Sequence, residues 1–84
     1  MEQSPDDPLL AAFARALRRL RQGKNLSQQE LARQADRSMQ YISLLESCRY
    51  QPTLKTMGLL SAALEMTLTE LMREIEDEEK NMLE

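Results

Sequence analysis

The clearest candidate for chemistry in this 84-residue chain is the outer face of a short helix expected over residues 39 to about 46. Ser38 is a typical N-cap for it, and Ile42 and Leu45 lie on its inward face. The remaining face is polar and suits insertion into the major groove of DNA. The side chains on that outer face are Met39, Gln40, Ser43 and Ser47.

A second short helix must position this face. Ser27-Gln-Gln-Glu30 forms a capping box that opens it, and it ends at Asp36-Arg37. Two helices of two to three turns with so short a connection favour a steep crossing over an antiparallel pair. The spacing therefore predicts a helix-turn-helix.

Three further helices follow from caps and apolar spacing. Asp7-Pro8 opens the first, Thr53 caps the fourth, and the capping box Thr67-Leu-Thr-Glu70 opens the fifth. Beyond Ile75 a run of like charges predicts a fraying end. We expect an all-α, compact five-helix bundle with a helix-turn-helix. Its predicted parts are an acidic N-terminal extension (1–7), a helix-turn-helix domain (8–75) and an acidic C-terminal tail (76–84).

The composition argues against catalysis and metal binding. The chain has no His and one Cys, so the commonest general base is missing and neither a zinc site nor an intrachain disulfide is expected. No nucleophile–base pair or phosphate loop is present. We therefore expect no enzyme activity and no cofactor. Cys48 beside Arg49 could be a redox-sensitive thiol, but an inert loop thiol is the preferred interpretation.

The cellular compartment is predicted mainly from the lack of a membrane span and of a signal peptide in the sequence. No run approaches the ~18 apolar residues that a membrane span needs. The first residues, MEQSPDDP, lack the basic and apolar regions of a signal peptide. A single Cys fits a reducing environment. These features predict a cytoplasmic protein without membrane contact.

The net charge of −3 hides an uneven distribution. Residues 8–64 hold nine basic and three acidic side chains and so carry +6, whereas the first seven residues carry −3 and the last twenty carry −6. Phosphate affinity depends on charge within about 8–10 Å. The acidic total is therefore compatible with DNA binding by the central segment, with modest non-specific affinity.

The central segment resembles the Xre-type helix-turn-helix family of phage repressors and Cro proteins. The family pattern appears as Leu17-Arg-Arg-Leu-Arg21, Leu26-Ser-Gln28 with Leu31-Ala32, and Ser38 with Ile42-Ser43 and Glu46. Pro52-Thr-Leu54 with Met57 and Ala62-Ala-Leu64 complete it. Small bacterial or phage members include repressors, restriction–modification controller proteins and antitoxins. The resemblance covers roughly residues 10–71.

The resemblance implies a role for each matching residue. Base-reading positions fall on Met39, Gln40, Ser43 and Leu44. Phosphate contacts fall on Gln28, Ser38, Tyr41 and Arg49. A structural ion pair is implied between Arg21 and Glu46. Gln40 would recognise adenine and Met39 would pack on a thymine methyl group.

The chain departs from the family at its helix ends. The family favours glycine in several of these turns, where φ is positive. Asn25, Asp36, Cys48 and Glu65 occupy those places here. Cys and Glu tolerate a left-handed backbone less well than Asn and Asp.

The expected partners are double-stranded DNA and a second copy of the chain. The apolar stripe of the fifth helix exceeds what one small core needs to cover, which predicts a homodimer on a palindromic operator. The alternative is that this helix only seals the monomer. A second function, binding a partner protein in the manner of an antitoxin or antirepressor, also stays open. The stripe consists of Leu68, Leu71, Met72 and Ile75.

Overall fold

The computed structural model describes residues 7–84, which form five α-helices and no strand within that range. The bundle measures 32 × 27 × 22 Å. This architecture confirms the all-α, five-helix expectation. The helices are α1 Pro8–Gly23, α2 Gln28–Gln34, α3 Met39–Glu46, α4 Leu54–Ala63 and α5 Leu68–Leu83.

Each helix begins behind a side chain that caps it. The Asp7 carboxylate accepts the Leu10 N–H at 3.0 Å, and the hydroxyls of Ser27, Ser38, Thr53 and Thr67 accept the N–H three residues ahead. Both capping boxes are complete, since Glu30 and Glu70 accept the cap N–H groups in return at 2.8 Å. A cap of this kind stabilises a helix by about 1 kcal/mol. The caps therefore set where the helices start.

The first four helices end in a left-handed residue, as the resemblance predicts. The φ angles are 60° at Asn25, 57° at Asp36, 63° at Cys48 and 60° at Glu65. In each turn the next N–H reaches back five residues to a helix carbonyl, at 2.8–3.2 Å. This is the Schellman arrangement, which normally uses glycine at the left-handed place.

The core lies where α1 and α5 pack together and enclose the inner faces of the other helices. Leu17, Leu31, Ile42 and Leu45 are inaccessible to solvent. Full burial of each such side chain contributes about 1.5–3 kcal/mol. The apolar face predicted for α1 thus packs against α5 and α3, and α2 packs against α3 and α4.

The prediction of a fraying end beyond Ile75 is wrong, because α5 continues to Leu83. Arg19 of α1 lies against the acidic run, with Nη2 3.0 Å from Glu74 Oε1 and Nε 3.3 Å from Glu78 Oε1. A guanidinium between two carboxylates one turn apart offsets their repulsion. Met82 also packs against the core. Of the predicted extension 1–7, residues 1–6 lie outside the described range.

Candidate nucleic-acid interface

The helix-turn-helix is built by α2 and α3, which are joined by residues 35–38. Ala32 and Ala35 are buried on the α2 side, opposite Ile42 and Leu45 on the α3 side. Small residues on α2 let the two short helices approach closely, because an alanine adds little bulk between them. The pair therefore presents the opposite face of α3 to solvent.

The outer face of α3 carries the predicted base-reading residues. Met39 is 51% exposed, which is unusual for a large apolar side chain, and Gln40 and Ser43 are exposed beside it. Leu44 is half-buried. None of the four is charged, so this face offers hydrogen bonds and methyl contacts, which are the means of recognising base edges.

Two of the predicted phosphate contacts lie at the start of α3. Ser38 is exposed, and its oxygen accepts the Tyr41 N–H at 3.0 Å, which leaves the hydroxyl proton free to donate. Tyr41 is half-buried and packs edge-on against Tyr50, with ring centroids 5.9 Å apart. Sequence reasoning missed Tyr50, which is 51% exposed. The sequence feature that could have identified Tyr50 is its position as an aromatic residue beside Arg49 in a polar loop.

A buried ion pair holds α3 against α1. Arg21 Nε and Nη2 donate to the two Glu46 oxygens at 2.6 and 3.0 Å, and Arg21 Nη1 donates to the Leu26 carbonyl at 2.8 Å. The Glu46 side chain is only 4% exposed. These hydrogen bonds, which Glu46 accepts, raise the pKa of the Arg21 guanidinium, although burial opposes its charge. The pair fixes the C-terminal end of α3 in one position.

Gln28 joins this network at the start of α2. Its Nε2 donates to Glu46 Oε1 at 3.0 Å, and the residue is half-buried. An amide nitrogen carries two hydrogens, so one remains after the bond to Glu46. The structure therefore places Gln28 beside the ion pair, held in a fixed orientation with one N–H still available.

Some basic residues near α5 are paired with carboxylates. Arg19 on α1 and Lys24 directly after it pair with carboxylates of residues 65–78, and Lys24 Nζ lies 2.8 Å from Glu65. Arg49, directly after α3, is exposed and forms no ion pair with any residue of the described range. Arg37 hydrogen-bonds to the Thr56 hydroxyl at 3.1 Å and forms no ion pair there either. Positive charge without an ion pair in the described range is therefore present at both ends of α3, at Arg37 and Arg49.

The predicted dimer stripe needs correction. Leu71 and Ile75 are 0% and 1% exposed and belong to the chain's own core, so they are not available to a second copy as a surface. They point inward because α5 packs against α1. Leu68 and Met72 are half-buried and remain at the surface.

Residues 7–84 contain no cluster of three His, Cys, Asp or Glu side chains that could hold a metal ion. Cys48 is a free, half-buried thiol. No helix in this range is both long enough and apolar enough to span a membrane.

A short helix with an exposed polar face, held across a second short helix, defines a helix-turn-helix DNA-binding domain of the kind found in transcription regulators. The helix-turn-helix family model matches residues 17–71. The chain therefore belongs to this family, which confirms the Xre-type resemblance. No curated protein sequence matches the chain.

Several solved structures are similar to this one. The clp gene regulator ClgR from Corynebacterium glutamicum has 25% identity and a TM-score of 0.83, over 89% of this chain and 80% of that one. The restriction-modification controller protein C.AhdI from Aeromonas hydrophila has 32% identity and a TM-score of 0.71, over 74% and 94%. The hypothetical transcription factor NHTF from Neisseria has 32% identity and a TM-score of 0.73, over 86% and 83%.

Proposed function

We propose that the protein is a sequence-specific transcriptional regulator that binds a palindromic operator as a homodimer, with α3 in the major groove. The observation that carries this is the uncharged, exposed face of α3, flanked by the unpaired Arg49. That arrangement separates base recognition from charge neutralisation, as specific DNA binding requires. Membership of the helix-turn-helix family and the similarity to the clp gene regulator ClgR and the controller protein C.AhdI support the same function.

Two residues on this face have a proposed base contact. Gln40 offers the paired donor and acceptor that adenine presents in the major groove, and Met39 offers an apolar contact to a thymine methyl group. Ser43 and Leu44 lie further along the same face. These four side chains would set the operator sequence.

The phosphate contacts would come from both sides of that face. Ser38 and Tyr41 donate from their hydroxyls, Arg49 supplies positive charge, and Gln28 donates its remaining N–H. Glu46 would keep the Gln28 amide aimed, because it holds both Gln28 and Arg21.

A homodimer would place two copies of α3 about 34–36 Å apart, one turn of DNA, and so match an inverted repeat. Leu68 and Met72 are the members of the predicted α5 stripe that remain accessible for the contact.

The test is selection of bound duplexes from a randomised DNA library, followed by titration of the selected duplex and a scrambled one by fluorescence anisotropy. Gln40→Ala should weaken binding to the selected duplex by about 1–3 kcal/mol and leave the scrambled duplex unaffected. Arg49→Ala should weaken binding to both duplexes. It should also reduce the slope of log affinity against log salt concentration by about one, as expected for the loss of one phosphate contact. Arg73→Ala, an exposed cation on α5, is the control and should change neither.

Two outcomes would reject this function. One is recovery of no preferred sequence. The other is equal loss in the Gln40 and control variants. If instead a partner protein binds the chain and the contact survives both Gln40→Ala and Arg49→Ala, the fold serves as a protein-interaction module.

A further inference from the structure

Arg37 is a cation to which the family resemblance assigns no role, and it lies where the α2–α3 turn meets α4. It follows the left-handed Asp36 and directly precedes Ser38, the N-cap of α3. Its side chain is half-buried and reaches Thr56 in the first turn of α4, which is only 1% exposed. Arg37 therefore joins the start of α3 to α4.

The guanidinium of Arg37 is held by neutral oxygen atoms. Nε and Nη2 donate to the Thr56 hydroxyl oxygen at 3.3 and 3.1 Å, and Nη1 donates to the Asp36 carbonyl oxygen at 2.8 Å. Thr53, the N-cap of α4, donates its hydroxyl proton to the same Thr56 oxygen at 3.0 Å. These bonds fix the orientation of the guanidinium, and no carboxylate of residues 7–84 forms an ion pair with it.

The guanidinium held in this way can still bind an anion. It carries five N–H groups, of which the bonds to Thr56 and Asp36 use three. One N–H group remains on each terminal nitrogen, and such groups match the oxygen atoms of a phosphate. Because the side chain is already ordered, it loses little conformational freedom when an anion binds.

The length of α3 indicates which anion this is. The helix has 8 residues and so rises about 12 Å, close to the ~12 Å width of the major groove of DNA. Arg37 lies just before the start of α3, and Arg49 lies just after its end. With α3 in the groove, a cation beyond each end of the helix faces each of the two phosphate backbones that border the groove.

We propose that Arg37 binds a phosphate of the operator backbone beside the start of α3, and that Thr56 positions it for this contact. The inference rests on the DNA binding of the proposed function and adds a second cationic phosphate contact, at the opposite end of α3 from Arg49. Arg37 adds affinity for every duplex and does not select among sequences, because phosphates carry no sequence information.

The test is titration of the selected and the scrambled duplex by fluorescence anisotropy at several salt concentrations. Arg37→Gln removes the charge and keeps a polar side chain, and Arg73→Gln makes the same change at an exposed position of α5 as the matched control. We expect Arg37→Gln to reduce the slope of log affinity against log salt concentration by about one for both duplexes. Near 0.1 M salt it should weaken binding to both about five- to tenfold, whereas Arg73→Gln should leave the slope unchanged.

Two further variants distinguish a phosphate contact from a purely structural bond. Thr56→Val keeps the shape of the buried side chain and the charge of Arg37 but removes the hydroxyl group. It should keep the salt slope of the parent and bind both duplexes about two- to tenfold more weakly, because the guanidinium is then ordered only on binding. Arg37→Lys should also keep the slope and bind more weakly, since an ammonium lacks the planar fork. Urea unfolding checks that each variant is folded.

The outcomes separate this inference from the proposed function. If folded Arg37→Gln keeps the salt slope of the parent, Arg37 only ties α4 to the α2–α3 turn, and the phosphate contact is rejected while DNA binding by the parent still stands. An equal loss of slope in Arg73→Gln also rejects the contact, because net charge alone then explains the effect. If Thr56→Val binds like the parent, the positioning by Thr56 is rejected, and this comparison decides the matter should Arg37→Gln not fold. A parent chain that binds neither duplex rejects the proposed function and this contact together.

Discussion

A non-glycine residue at the left-handed position 48 leads to a prediction about stability. Both glycines, Gly23 and Gly58, lie at ordinary φ, whereas Cys48 has a φ of 63°. A left-handed backbone costs an L-residue about 1–2 kcal/mol, because Cβ approaches a carbonyl oxygen. Glycine avoids this cost but loses about 0.4–1 kcal/mol through its greater freedom in the unfolded chain. Glycine should therefore be the better residue at position 48.

The comparison that isolates this effect is Cys48→Gly against Cys48→Ala. Both variants remove the half-buried thiol, so lost packing largely cancels between them. We expect the glycine variant to be more stable than the alanine variant by about 0.5–1 kcal/mol. For a domain of this size that difference is about 2–8 °C in Tm.

Gly58 provides the control, because alanine and not glycine should be the more stabilising residue there. It lies in the middle of α4 with φ outside the left-handed region, and a Cβ there would have no atom within 4 Å. Gly58→Ala should stabilise the protein by about 0.5–1 kcal/mol, because alanine costs less entropy in a helix.

The same reasoning ranks the other three left-handed turns by the change in Tm expected when glycine replaces the residue. Glu65→Gly should raise Tm, although it removes the exposed Lys24 contact. Asn25→Gly and Asp36→Gly should change it less, because their short polar side chains tolerate a left-handed backbone.

Urea and thermal unfolding followed by circular dichroism, at one protein concentration and with reductant present, would measure these differences. A Cys48→Ala variant as stable as Cys48→Gly would refute the left-handed turn at that position. A destabilised Gly58→Ala would show instead that the helix has no room for a methyl group.

Three further predictions concern ion pairs and caps. Glu46→Gln should destabilise the protein by about 3–5 kcal/mol, because it leaves the buried Arg21 guanidinium without a counter-charge; urea unfolding measures it, and a loss below about 1 kcal/mol would contradict the buried pair. The N–H and hydroxyl of Ser27 hold the pKa of Glu30 below its ordinary value, so this contribution is present above the unfolded-state pKa and is lost as pH falls through the folded-state pKa. The free energy of unfolding of Glu30→Gln should accordingly fall less than that of the parent between about pH 6 and about pH 3. An equal fall in both proteins would contradict this prediction. Glu74→Gln combined with Glu78→Gln should speed amide hydrogen exchange in residues 76–83, because Arg19 then no longer ties α5 to α1; unchanged exchange would show that packing alone orders the end of α5.

Much of the fold was predictable because its signals are local. A cap such as Ser27 or Thr67 acts on an N–H only three residues away, so the sequence locates the helix starts directly. The left-handed turns, in contrast, are implied by the family resemblance, because no glycine marks them in this sequence. The outer face of α3 follows from periodicity, since Ile42 and Leu45 turn inward and leave Gln40 on the other side.

The candidate site was less completely predictable. The family resemblance implies a phosphate contact for Gln28, but its amide also bonds to Glu46, eighteen residues away. Tyr50 was missed because its partner Tyr41 lies on the helix before it and no local pattern joins them. These contacts depend on how α1, α2 and α3 meet, which no spacing rule encodes.

The sequence by itself determined the five helices, their caps, the helix-turn-helix and the basic centre between acidic ends, because each depends on neighbours within a few residues or on composition. Only the tertiary structure decided how far α5 extends and which of its apolar side chains are buried. Its acidic end continues as helix, with Arg19, 55 and 59 residues earlier, lying between Glu74 and Glu78, and with Met82 packed against the core. Its apolar stripe is divided because packing against α1 buries Leu71 and leaves Met72 at the surface. Burial and pairing across the bundle are properties of the packed chain, and local preference alone does not set them.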